Sequence, residues 1–229
     1  MKRHRQASAG PVYVYAVVRA PLGGRSPWQK GKLRLVRERS TAAIVADCRR
    51  RPAITPGVLR AHDTVVRRIA RSVGAVLPVR FGTLADGDRS VRDLLRARRS
   101  RLLAALRQVE QREQMTVRLF GRPRKQPRGL GVGGGKRRGT AYLMQRATAR
   151  GLAADDPELE PLQIALRALV TAERIVRHDA GPLLLTAYHL IPRGTAAAYR
   201  PLLRRHRLPE GLRASVSGPW PPYAFGPEF

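Results

Sequence analysis

The stretch Val12-Tyr-Val-Tyr-Ala-Val-Val18 decides how the first half of the chain is read. β-Branched and aromatic residues follow one another with no polar position, so both faces of an extended segment are apolar. A strand of that kind belongs in the middle of a sheet, covered on both sides. Candidate partners come next. Lys32–Arg37 places Leu33 and Leu35 on one face, and Ala42–Cys48 follows after Ser40-Thr41, which predicts a hairpin. Pro21, Gly23-Gly24 and Ser26-Pro27 read as the loop between the first strand and that hairpin.

Helices are signalled by caps and stripes. Thr55-Pro56 offers an N-cap and a proline at the first helical position. Val58, His62, Val65, Ile69 and Val73 then recur at spacings of three and four. Ala75–Arg80 reads as a short buried strand. Asp86-Gly-Asp88 reads as a turn. Ser90-Val-Arg-Asp93 resembles a capping box, opening one long helix over 90–110 with Val91, Leu95, Leu102, Leu106 and Val109 inward. Met115–Phe120 is a further strand. Residues 121–139 carry seven cations, no acid and no periodicity, as a basic linker does.

Beyond the linker, Thr140–Arg150 reads as helical. Asp156-Pro157 opens a longer helix whose stripe is Leu159, Leu162, Leu166, Leu169 and Val176, ending at Gly181-Pro182. Leu183–Ile191 is an apolar strand, Ala196–Arg207 a short helix and Leu212–Ser217 an alternating strand. Two βαβ units stand out, one over 75–120 and one over 183–217. In one sheet they make a ferredoxin-like topology, with the linker and two helices inserted. The fold class is therefore α+β in two domains. The N-terminal mixed domain spans 11–120, the linker 121–139 and the C-terminal domain 140–229, with strands 75–80 and 115–120 as candidates for the C-terminal sheet.

Charge is the outlier of composition. Lys+Arg is 45 against Asp+Glu 16, a net of +29. Only Lys2, Lys30, Lys32, Lys125 and Lys136 are lysines, a preference that a GC-rich genome produces. The shortage of acids is not explained that way, and it points to a polyanionic partner or to a highly charged surface. The apparatus of nucleic-acid recognition is missing, with few of the 12 aromatics among the arginines. Nucleic acid is expected only as a non-specific partner. The single Cys48 forms no intrachain disulfide and reads as a small core residue. No apolar run reaches the roughly 20 residues of a membrane span, and a cytoplasmic protein is expected.

Chemical motifs are not found. Gly129-Leu-Gly131-Val-Gly-Gly-Gly135-Lys136 fails as a phosphate loop, because Arg137-Arg138 stand where Ser or Thr must reach the metal. His4, His62, His178, His189 and His206 show no ligand spacing. His62 and His189 lie in apolar patterns and read as hydrogen-bonded core histidines. No catalytic residue, cofactor or metal is called for.

Three stretches together resemble the gas vesicle GvpF/GvpL family. They are the opening strand Val12–Val18, the motif Val76-Leu-Pro-Val-Arg-Phe-Gly-Thr83 with His62 in the preceding helix, and the ending Gly218-Pro-Trp-Pro-Pro-Tyr-Ala-Phe225. The resemblance implies a non-enzymatic accessory protein of gas vesicle formation. It would bind the small hydrophobic shell protein and other vesicle proteins, assist nucleation or assembly, and be found in the cytoplasm and at the gas vesicle. The residues it singles out are Pro78, Arg80, Phe81, Gly82, Pro219, Trp220, Pro221, Pro222, Tyr223 and Phe225. Pro78 and Gly82 would fix how the chain leaves the sheet. The aromatic tail would dock on the protein itself or anchor a partner.

Overall fold

The computed structural model describes residues 10–20, 32–48, 50–121, 164, 166–178, 181–205, 208 and 210–226. The expected linker beyond Gly121, the helix over 140–150, the start of the helix at Asp156 and the loop at 21–31 lie outside the described residues. The chain forms two compact units, Met1–Glu113 with Trp220–Phe229, and Gln114–Pro219. The boundary falls inside the expected domain of 11–120, whose strand 115–120 is a candidate for the C-terminal sheet. The segment 114–120 pairs with strands that come later in the chain, and the last residues return to the first unit.

The first unit is built around β1 (Val12–Arg19). β2 (Leu33–Glu38) and β3 (Thr41–Asp47) form the expected hairpin, closed between Glu38 and Thr41. Arg39 takes a left-handed φ of 52° there. β3 pairs along the whole of β1 with a register shift between Val14 and Ala16, which puts Tyr15 at the irregularity. On its other side β1 pairs with β4 (Val76–Pro78) and β5 (Leu84–Ala85). The order is β2-β3-β1-β4, so the all-apolar strand is central.

Both its faces are covered. Ala16 and Val18 pack with Ile44 and with Ile69 of α1 (Pro56–Ser72). The opposite face, with Val17 and Ala43, meets Val91 and Leu95 of α2 (Gly87–Ala97). Burial of each valine, leucine or isoleucine side chain contributes about 1.5–3 kcal/mol, which is why an apolar run on both faces specifies this position. Thr55 caps α1 as the sequence predicts, accepting from the Val58 N–H at 3.3 Å.

The single helix over 90–110 is corrected in two ways. It begins one turn earlier, at Gly87 with φ 77°, and Ser90 lies inside it. It also breaks at Arg98, where ψ is 12°, and resumes as α3 (Arg99–Gln108). Leu102 and Leu106 are fully buried beyond the break, so the stripe survives it. Asp88, read as ordinary turn chemistry, is buried in the first turn of α2 with its carboxylate 2.7 Å from Arg34 of β2. Cys48 is half-buried at the end of β3, not a core residue, and its thiol lies 2.9 Å from the Arg50 carbonyl.

The second unit holds β6 (Arg112–Phe120, shared at its start with the first unit), β7 (Ala172–Arg177), β8 (Leu183–Pro192) and β9 (Arg213–Trp220). The helix α4 (Ala196–Arg205) lies between the last two strands in sequence. The sheet order is β7-β8-β6-β9. The expected βαβ unit over 75–120 is therefore corrected. The strand at 75–80 belongs to the first sheet, and only the strand at 115–120 joins the second. The missing member is β7, where the apolar stripe predicts the end of a helix through Val176. Its Ile175 and Val176 are β-branched, and it pairs antiparallel with β8 from Ala172↔Leu190 to Arg177↔Leu185. Gly181 (φ 83°) stands just before β8, and the His178 N–H bonds the Leu184 carbonyl at 2.8 Å.

The core of this unit gathers Met115, Val117 and Leu119 of β6, Leu185 and Ile191 of β8, and Tyr199 and Leu203 of α4. β9 sits at the sheet edge, which accommodates Pro219 within it. Gly121 follows β6 at a close approach. A Cβ there would lie 2.5 Å from the Leu212 side chain and 3.0 Å from that of Leu184.

Candidate functional site

The motif Val76–Thr83 leaves and rejoins the sheet within a few residues. β4 pairs with β1 as far as Pro78↔Ala16, and the Val79 N–H then bonds the Tyr15 carbonyl at 2.9 Å. Pro78 is buried on the edge strand of its sheet, where its missing N–H costs no ladder bond. The chain then bulges outward. Thr83 folds its hydroxyl onto the Arg80 carbonyl at 2.8 Å, and Val14 recaptures the chain through the Thr83 carbonyl at 3.1 Å. Gly82 sits at the apex with φ 84°, a left-handed conformation that favours glycine. The excursion leaves Arg80 exposed and Phe81 half-buried.

Tyr13 ties this bulge to α1. Its hydroxyl accepts the Gly82 N–H at 3.0 Å and lies 2.9 Å from His62 Nδ1. Burial lowers the His62 pKa, against the opposing effects of Asp63 and the Val79 backbone. At neutral pH the imidazole is then neutral, and Tyr13 donates to Nδ1 in the tautomer whose ring proton is on Nε2. That nitrogen is buried without a well-formed hydrogen bond. Three rings enclose the imidazole. It stacks on Tyr15 with centroids 5.4 Å apart and meets Tyr13 and Phe81 edge-on at 5.7 and 5.5 Å. Burial also raises the Tyr13 and Tyr15 pKa values. This is a pinned, water-poor cluster that holds the Phe81 turn in place.

The aromatic tail docks on α1 of the same unit. The Arg67 guanidinium lies 4.3 Å from the Trp220 ring centroid. Asp63, one turn earlier, holds Arg67 Nε at 2.6 Å and accepts a longer 3.4 Å contact from the Tyr223 hydroxyl. Burial raises the Tyr223 pKa, reinforced by the Asp63 charge. Pro221 and Pro222 are buried, Phe225 is half-buried and Pro219 is exposed in β9. The tail ends against the motif, where a Cβ on Gly226 would lie 3.5 Å from the Pro78 carbonyl. The structure thus brings Pro78 and the residues 220–225 onto one unit. The i,i+4 pair of Asp63 and Arg67 that receives them was legible as a helix pair, but its role was not.

Beside the bulge lies a cavity of about 340 Å³, formed within the first unit. Val14, Val17, Leu94 and Leu95 form an aliphatic floor, and Arg51 and Arg80 stand at it with no carboxylate in the lining. In the sequence Arg51 is one arginine among 40 and carries no signal of its own. A second polar cluster, in the other unit, is structural. His189 bonds the Tyr199 hydroxyl at 2.5 Å and Glu173 at 2.7 Å, and Tyr199 is fully buried, out of reach of any ligand. Burial raises the Tyr199 pKa. Among the described residues, no helix is long and apolar enough to cross a membrane.

Comparison with known proteins agrees with the sequence motifs. The family described as gas vesicle synthesis protein GvpL/GvpF matches residues 11–227. Gas vesicle protein L of a Streptomyces species is 28% identical over 183 residues, covering 72% of this chain and 67% of the relative. Gas vesicle protein F2 of Halobacterium salinarum is 26% identical over 190 residues, covering 82% and 76%. The fold is similar to crystal structures of the gas vesicle protein GvpF. That from an Anabaena species gives a TM-score of 0.67 at 15% identity, covering 97% of each chain. That from Microcystis aeruginosa gives 0.65 at 13% identity, covering 94% of this chain and 98% of the other. The three stretches that carried the resemblance thus lie within one family match, and the chain belongs to the GvpL/GvpF family of gas vesicle synthesis proteins.

Proposed function

We propose that this protein serves gas vesicle formation by binding. It holds the small hydrophobic shell protein, and other vesicle accessory proteins, in a state competent for nucleation or assembly of the vesicle wall. The family match over residues 11–227 is the observation that carries this reading. The chemistry of the first unit supports it, since a rigid aromatic cluster and an aliphatic cavity rimmed by arginines suit capture of an apolar, partly acidic protein segment. The high net charge of +29 keeps copies of the binder apart while each holds an aggregation-prone partner. On this reading the protein performs no catalysis, needs no cofactor, and moves between the cytoplasm and the growing vesicle.

The test is retention of purified shell protein by the immobilised chain. Retention at moderate salt is expected, and none at low or moderate salt overturns the reading. The charge also sustains a second reading, binding of nucleic acid. It requires affinity for generic DNA that falls steeply with salt, and a flat titration at low salt removes it.

A further inference from the structure

We infer that the cavity beside the Val76–Thr83 motif is a docking site for a peptide segment of a partner protein in which a large aliphatic side chain stands next to an aspartate or glutamate. The inference rests on the binding function proposed above and names the chemistry of the segment recognised.

Three observations carry it. The floor is aliphatic, from Val14, Val17, Leu94 and Leu95, and at about 340 Å³ the space suits one or two large side chains. Arg51 and Arg80 are both exposed at this cavity, and neither has an acidic partner among the described residues. Two unpaired guanidinium groups at the edge of an apolar hollow complement a carboxylate held beside an apolar group. The backbone at the rim is also spent. The N–H groups of Gly82 and Thr83 bond Tyr13 and Arg80, and the Thr83 carbonyl bonds Val14. Recognition therefore falls to side chains, and strand addition at this point is closed.

A nucleic acid fits less well. The floor offers no aromatic face, and the one ring at the rim, Phe81, is engaged edge-on with His62. A free amphiphilic acid would fill the hollow but gain nothing beyond it. A peptide extends beyond the hollow, and Ile54, three residues on from Arg51 in the chain, is 82% exposed.

The experiment uses the full chain and fluorescent peptides with blocked ends that tile the sequence of a gas vesicle shell protein, read by anisotropy. Binding is expected for peptides carrying an aliphatic–acidic pair. Glu→Gln or Asp→Asn within the peptide weakens it about 3- to 10-fold, as do Arg80→Gln and Arg51→Gln in the protein. Leu94→Glu abolishes it, and Arg204→Gln on the second unit leaves it unchanged. Shell peptides that bind the wild type and all these variants alike overturn the docking site but leave the binding function standing. If no shell peptide binds the wild type, the proposed partner falls, and the site is judged on a blocked Leu-Glu tripeptide by NMR. Shifts at Phe81 and Leu94 that vanish in Arg80→Gln support it, and their absence overturns it. Equal displacement by decanoate or by an oligothymidylate overturns the assignment to a peptide. The change within the peptide keeps the test decisive should a protein variant fail to fold.

Discussion

The hydroxyl of Tyr13 accepts the backbone N–H of Gly82 at 3.0 Å, across 69 residues of chain, and the same oxygen lies 2.9 Å from His62 Nδ1. One side chain of the central strand thus fixes both the outward bulge of the family motif and the helix that receives the tail. Tyr13→Phe removes the hydroxyl and leaves a buried imidazole nitrogen and an amide without their partner. Loss of about 1–3 kcal/mol of stability is expected, measured by urea denaturation at neutral pH.

Acidification reaches the same network through His62. Burial holds its folded-state pKa below the ordinary 6.5, so the unfolded chain takes up the proton first. The stability this gives is whole above pH 6.5 and is lost as the pH falls from 6.5 towards the lower folded value. A slope of up to about 1.4 kcal/mol per pH unit is expected in that window. His62→Phe is expected to flatten it, and denaturation curves collected from pH 7.5 to 5 provide the comparison.

Gly82 tests backbone conformation by itself. A Cβ there would meet nothing within 4 Å, so substitution causes no clash, yet φ is 84°. Gly82→Ala is expected to cost about 1–2 kcal/mol from the left-handed backbone. Thermal melts of the variant check the value, and an unchanged melt would mean that the bulge is not held in this conformation.

Trp220 rests against Arg67 at 4.3 Å. Trp220→Ala removes a cation–π contact and part of the tail's apolar burial, and about 1–3 kcal/mol is expected to be lost from the first unit. Arg67→Gln should lose less, since the ring still packs on α1. Partner binding is expected to fall only in step with stability. Lost binding at unchanged stability would identify the tail as a partner anchor.

In the second unit, Tyr199→Phe takes the hydroxyl from the buried His189. A loss of about 1–2 kcal/mol is expected. Faster amide exchange in β8 and α4, with exchange in β1 unchanged, would mark the effect as local to that unit.

The elements that local physics specifies were legible. The apolar run at 12–18 identified a central strand, Thr55-Pro56 identified a helix start, and Lys32–Arg37 followed by Ala42–Cys48 after Ser40-Thr41 identified a hairpin. The errors fell where local signals were ambiguous. Ile175 and Val176 continue a stripe begun at Leu159, so strand β7 looked like helix. With one strand missing, the segment at 75–80 was borrowed to complete the second sheet. The break at Arg98 has no proline or glycine to announce it. Asp88 looked like a turn residue because its partner, Arg34, lies 54 positions earlier.

By itself, the sequence determined the strands and helices set by periodicity and caps, the α+β class, and the motifs that place the chain in its family, because these depend on residues within a turn or two of one another. Tertiary structure alone decided which strands share a sheet, that the tail from Trp220 returns to α1, that Arg51 and Arg80 meet at one cavity, and that Tyr13 joins His62 to Gly82. Those pairings are between residues tens of positions apart. They are selected by shared burial and by hydrogen-bond geometry, and neither leaves a periodic trace in the chain.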